Sequence, residues 1–192
     1  MIGLGLSILF AIAVIALYVI CTVTDYWIVT EVLSVESNYG LWRTCSEALG
    51  VSFCREIDGE GVKVYVHVAR ALMISSSVIA GLVLIFVVFA FLRECTGSRC
   101  LSCVGRIGKA CRTCSGIIFV FTGLLVAGGT IWYAIEKSKE YDGIVDKNFS
   151  FGYSLIIGWV SVPLALIGGC MISCFTRRAA EEDYVKTETR VV

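Results

Sequence analysis

The stretch ALMISSSVIAGLVLIFVVFAFL, residues 71–92, carries no charged side chain over its whole length. A helix needs roughly 20 apolar residues to cross about 30 Å of hydrocarbon, so this run predicts a membrane span. Residues 2–23, 116–135 and 152–175 are likewise apolar and uncharged, which makes four spans. In hydrocarbon each backbone polar group needs a partner within the structure, and a continuous helix supplies one. The alternating ten-residue strands of a membrane barrel are absent. The first run has no basic segment ahead of it and exceeds the length of a signal-peptide core, so it is read as a retained helix.

Composition agrees. Of 192 residues, 57% are hydrophobic and the formal net charge is zero, so no basic or acidic field points to nucleic acid. One His and no Ser/His/Asp, Cys/His or metal-ligand set in the membrane argue against an enzyme, and no cofactor or metal is implied. The loop 93–115 holds five basic residues (Arg93, Arg99, Arg106, Lys109, Arg112) against one acid, Glu94, and Arg177 and Arg178 follow the fourth run. Loops rich in Lys and Arg stay in the cytoplasm, which places this loop and both termini inside. Loops 26–70 and 136–150 are then outside.

The long outer loop contains Cys45 and Cys54, and the short one contains no cysteine. In an oxidising compartment a Cys45–Cys54 disulfide is expected, the alternative being two free surface thiols. A bridge this local suits a hairpin, with Gly50 at the turn and Val51-Ser52-Phe53 leading to Cys54. Residues 27–33 and 62–68 alternate as strands do, although 62–68 serves equally as an early start of the second helix. Trp27 fits an aromatic anchor at the membrane interface. Trp42, far along the loop, either packs on a small sheet or anchors that sheet on the bilayer.

Trp27, Gly40-Leu41-Trp42, Cys45 and Cys54, in this order between the first two spans, resemble the signature of the claudin family. Ala69-Arg70-Ala71-Leu72-Met73 resembles its junction of loop and second helix, where an Arg is characteristic. Trp132-Tyr133-Ala134, Tyr141-Asp142-Gly143 (Gly standing where Pro is usual), Phe151-Gly152-Tyr153-Ser154-Leu155 and Ile157-Gly158-Trp159 extend the resemblance over nearly the whole chain. The segment between Trp27 and Gly40 is several residues shorter than in typical claudins.

The resemblance implies a membrane α-helical fold: a left-handed four-transmembrane-helix bundle carrying a small extracellular antiparallel β-sheet. It implies a plasma-membrane protein of tight junctions that polymerises with other claudin-like chains in cis and in trans, as a paracellular barrier or charge-selective pore. A non-junctional relative, acting in adhesion or as a channel accessory subunit, is the alternative. Six acids (Glu31, Glu36, Glu47, Glu56, Asp58, Glu60) against three bases (Arg43, Arg55, Lys63) in the first outer loop favour cations. Glu47 falls where claudin pore charges usually lie, and Asp58 and Glu60 are further candidates. By resemblance, Tyr141 and Asp142 contact the opposing cell. The sequon at Asn148 abuts the fourth helix, where a transferase reaches it poorly.

Cys95, Cys100, Cys103, Cys111 and Cys114 crowd the inner loop, and Cys170 and Cys174 lie near the inner end of the fourth run. Juxtamembrane cysteines among basic residues suggest acylation and contact with anionic lipid. Cys100/Cys103 and Cys111/Cys114 also match a four-thiolate zinc site formally, with a shorter spacer than usual, and unmodified thiols are the third reading. The terminal Val192 suits a PDZ scaffold, which binds by strand addition, although Arg190 is atypical. The polar tail 181–192 is expected to be unstructured. Ser77/Gly81 and Gly123/Ala127 are spaced for close helix approach, and Pro163 should bend the fourth helix.

Overall fold

A computed structural model describes residues 2–32, 35–48, 50–59, 61–96, 104–141 and 147–188, with side chains outside the described set at 2, 4, 32, 93–113, 141–148 and 175–188. The described residues form four helices, α1 (Ile2–Val23), α2 (Val64–Thr96), α3 (Val104–Tyr141) and α4 (Tyr153–Glu188), with four strands between α1 and α2 and a fifth between α3 and α4. The strands are β1 (Ile28–Val32), β2 (Val35–Tyr39), β3 (Arg43–Ala48), β4 (Val51–Glu56) and β5 (Lys147–Phe151). Each helix contains a segment long and apolar enough to cross a membrane: Gly5–Val23, Val64–Leu92, Cys114–Glu140 and Tyr153–Cys174. Four such helices with one antiparallel sheet are the fold class that the resemblance implies.

The helices extend beyond the apolar runs of the sequence expectation, α3 starting at Val104 and α2 ending at Thr96. The second helix begins at Val64, seven residues ahead of the uncharged run, which settles 62–68 as a helix start, with Val66 N–H donating to the Lys63 carbonyl at 3.0 Å. The third helix extends past its apolar run to Tyr141. The fourth is helical through Glu188, where an unstructured tail was expected from 181 onward. Charged residues end a hydrophobic run without ending a helix, because Glu, Lys and Arg are good helix formers.

The sheet is antiparallel throughout, in the order β4-β3-β2-β1-β5. Its outermost partner was not visible in the sequence reading: β5, from the second loop, pairs with β1 from Ile28↔Phe151 to Val32↔Lys147. Gly50 takes φ 76° at the β3–β4 turn, a left-handed conformation costly for any residue with a Cβ. The Cys45–Cys54 disulfide forms across that hairpin, where the two residues are register partners.

The chain forms two compact units. One comprises Ala16–Ser77 and Leu124–Val162 and holds the whole sheet. Its core is built on Tyr18, Trp27, Leu41, Met73, Tyr133 and Leu155, all essentially inaccessible. The other comprises Met1–Ile15, Val78–Gly123 and Pro163–Val192. There Gly116 lies against Ser173 and the Gly169 carbonyl, and Gly168 against Phe10 and Phe119, so small residues set the helix spacing. The close approach expected at Gly81 is not found, since nothing described lies near it. Buried helix hydroxyls are satisfied by their own helix: Ser76 donates to Met73, Thr122 to Phe119 and Ser161 to Gly158. Leu9, Ile85, Leu124 and Ile167, from all four helices, point outward, as contact with lipid requires.

Candidate functional site

The first loop is tied down at its tryptophans. The Trp27 indole is fully buried and donates to the Cys21 carbonyl at 2.9 Å, so it is a core residue and not the interfacial anchor expected of it. Trp42 donates to the Thr22 carbonyl at 2.8 Å, at the same end of α1. An indole N–H in apolar surroundings needs an acceptor, and the last carbonyls of a helix have no partner in their own helix. The two demands are met together. Trp42 thus ties the β2–β3 end of the sheet to the end of α1.

Gly40-Leu41-Trp42 forms the turn between β2 and β3. Gly40 N–H donates to the Arg43 carbonyl at 2.9 Å, and the Gly40 carbonyl accepts from the Tyr133 hydroxyl at 3.0 Å. A Cβ at Gly40 would strike Asp25, so the motif needs glycine for close approach. Arg70 completes the anchor. Its guanidinium donates to the Leu41 carbonyl at 2.9 Å and to the Ile57 carbonyl at 2.6 Å, and lies 4.7 Å from the centre of the Trp42 ring. With 11% of its side chain exposed, Arg70 has exchanged water for these partners.

Asp25 lies beneath this turn. Burial pushes its carboxyl above the ordinary 3.8, against the opposing pull of the Arg43 charge and a hydrogen bond from the Arg43 backbone N–H. Its Oδ1 is buried with no hydrogen-bond partner among the described residues. The folded chain therefore takes up this proton at a higher pH than the unfolded chain does. The stability Asp25 contributes is fully present below the ordinary value and is lost as pH rises through the folded one. Asp25→Asn, neutral at every pH, should melt at a higher temperature than wild type at about pH 7 and lose that advantage at about pH 3, as measured in detergent.

Strand register brings together glutamates that lie apart in sequence. Glu31 pairs with Glu36 across β1–β2, and Glu36 pairs with Glu47 across β2–β3. Directly opposed residues of antiparallel strands project from one face about 5 Å apart, so the three form a row across the sheet. Ser52 and Asn148 hold the register positions at its two ends. All three glutamates are exposed. Like charges directly opposed lower the stability of a sheet. On the same face the next opposed pair is the Cys45–Cys54 bridge, and the one beyond it is neutralised, Arg43 to Glu56 at 3.5 Å.

Of the sequence candidates, Glu47 lies in this row. Asp58 does not: its carboxylate lies 4.0 Å from Arg70, beyond the end of β4. Glu60 and Asp142 lie outside the described residues, as do Cys100, Cys103 and Val192, and nothing is described of the Tyr141, Cys95 and Cys111 side chains. Cys114, Cys170 and Cys174 are exposed free thiols. In the sequence Glu31 and Glu36 stand only as part of the acidic excess of the first outer loop. Only pairing reveals them, because the intervals between Glu31, Glu36 and Glu47 follow no strand period. β5 had a usable signal, the alternation of polar Asn148 and Ser150 with Phe149 and Phe151.

A family model described as PMP-22/EMP/MP20/Claudin family matches residues 1–172. Claudin-11 from Bos taurus is 32% identical over 165 residues, covering 81% of this chain and 75% of the relative. Claudin-11 from Homo sapiens is 31% identical with the same coverage. Claudin-1 from Rattus norvegicus is 31% identical over 155 residues, covering 75% of this chain and 69% of the relative. The family match runs from the first helix into the fourth, and at this identity to claudins the chain belongs to the claudin branch of the PMP-22/EMP/MP20/Claudin family.

Proposed function

We propose that this claudin acts at tight junctions of the plasma membrane as a cation-preferring paracellular pore, polymerised with other claudin-like chains in cis and trans. The observation that carries the pore reading is the Glu31–Glu36–Glu47 row on one face of the sheet. Carboxylates lining a narrow passage raise the local concentration of cations and exclude anions. The basic loop 93–115 and both termini face the cytoplasm, and the sheet faces outward. Tyr141 and Asp142 belong to the surface that meets the opposing cell. Cys95, Cys100, Cys103, Cys111, Cys114, Cys170 and Cys174 are acyl acceptors beside anionic lipid, and Val192 is the ligand of a PDZ scaffold. Asp58 and Glu60 add acidic charge to the first outer loop.

The test is a sodium chloride dilution potential across an epithelial monolayer stripped of its own claudins and expressing this chain. Sodium is expected to permeate better than chloride. A carboxylate about 10 Å from a passing ion in water changes its energy by about 0.4 kcal/mol, roughly twofold in occupancy before screening. Glu47→Gln should thus lower the sodium-to-chloride permeability ratio by up to about twofold, and neutralising Glu31, Glu36 and Glu47 together should bring it close to that of free solution. A ratio unchanged in the triple variant would remove the row from the pore. Raised resistance without selectivity would mark a barrier claudin, and no change in either quantity with normal surface expression would favour an accessory subunit.

A further inference from the structure

The outer end of α3 is fastened by a network in which no residue belongs to the family signature except through Tyr133. Glu140, the next-to-last residue of α3, accepts at Oε1 from the Tyr65 hydroxyl at 3.1 Å and lies 3.5 Å from Lys63 Nζ. Its Oε2 accepts from Lys137 Nζ at 3.0 Å. That ammonium in turn lies 4.1 Å from the centre of the Tyr39 ring on β2. The Tyr65 ring meets the Tyr133 ring edge-on at 5.6 Å, and Tyr133 reaches both the Trp27 ring and the Gly40 carbonyl. One carboxylate therefore connects α3 to the start of α2 and, through Lys137, to the sheet.

Exposure is uneven within this cluster. The Lys137 side chain is 12% exposed and that of Glu140 28%, whereas Lys63 is 67% exposed. An exposed pair contributes little, so the Lys63 contact is minor and the Lys137 and Tyr65 hydrogen bonds to Glu140 carry the connection. Residues 142–146 follow directly and lead to β5, whose own position is set by pairing with β1. The second loop is thus held at its far end by the sheet and at its near end by the Glu140 cluster.

We propose that Glu140 is the positioning residue of the second loop: with Tyr65 and Lys137 it fixes the direction in which α3 delivers that loop to the opposing cell. The inference rests on the junctional reading above. The loop has few residues in which to absorb a tilt of α3, so loss of the near anchor displaces the contact surface without unfolding the sheet.

The experiment is aggregation of claudin-null cells expressing the full-length chain, with surface level and thermal stability in detergent measured alongside. Glu140→Ala is expected to reduce aggregation roughly fivefold, about 1 kcal/mol of contact free energy, at unchanged surface level. Glu140→Gln, which still accepts from Tyr65, should recover part of the loss. Tyr65→Phe, which keeps the ring and loses only the hydroxyl, should weaken aggregation in the same direction, and the Tyr65→Phe/Glu140→Ala pair should be no worse than Glu140→Ala alone. Wild-type aggregation retained by both Glu140→Ala and Tyr65→Phe overturns the positioning role and leaves the junctional reading standing. Failure of the wild-type chain itself to aggregate cells overturns both. If Glu140→Ala does not reach the surface, Tyr65→Phe decides.

Discussion

Arg70→Ala is expected to destabilise the folded chain by about 3–5 kcal/mol and to keep most of it from the cell surface. Arg70 donates charge-assisted hydrogen bonds to the carbonyls of Leu41 and Ile57 and covers the Trp42 ring. Removing it leaves two carbonyls at a covered site without their donor, each costing about 1–3 kcal/mol, and strips the indole of its cation. Both carbonyls belong to the first loop, so the damage falls on the seating of the sheet and not on the apolar helices. Arg70→Lys should recover less than half of the loss, because an ammonium lacks the planar fork that reaches two acceptors at once. Thermal unfolding in detergent checks the first figure and surface labelling the second. Wild-type stability in Arg70→Ala would mean that the cost of burying the guanidinium equals what its contacts return.

Gly152→Ala should be the most damaging change of a single hydrogen to a methyl. Gly152 joins β5 to α4, and its N–H donates to the Trp27 carbonyl at 2.9 Å. A Cβ there would fall on the backbone carbonyl of Tyr26, and backbone cannot move aside as a flexible side chain does. Either β5 must leave β1 or the start of α4 must shift, which would also break the Ser154 N–H bond to the Tyr26 carbonyl at 3.1 Å. The expected cost is about 3 kcal/mol, the upper end for overpacking. Gly128→Ala in α3, where nothing lies within 4 Å, is the control and should be neutral or slightly stabilising. Equal melting temperatures for the two variants would show that the β5–α4 joint yields more readily than its geometry implies.

The four helices were legible in the sequence because their cause is local. An uncharged run long enough to cross hydrocarbon must satisfy its own backbone, and a helix does so with bonds four residues apart. The Cys45–Cys54 bridge was legible for a similar reason: two cysteines flank a short hairpin with glycine at its turn. The order of Trp27, Gly40-Leu41-Trp42, Cys45, Cys54 and Arg70 was enough to mark the family, but it did not disclose what each residue does. Trp27 reads as an interfacial aromatic and is buried, because its acceptor is a helix-end carbonyl that only the folded chain brings near.

Which face of the sheet carries each glutamate was decided by tertiary structure alone. Side-chain direction along a strand has period two, so one step of register sends every residue to the other face. That Glu31, Glu36 and Glu47 stand opposite one another depends on the lengths of two turns and on the alignment of three strands, none of which is written in the spacing of the glutamates. The Glu140 cluster is of the same kind, since Tyr65 and Glu140 lie 75 residues apart and meet because the start of α2 lies beside the end of α3. Local chemistry thus determined that this chain crosses a membrane four times and carries a disulfide-closed hairpin. Long-range pairing, which no local interaction specifies, decided which of its charges stand side by side.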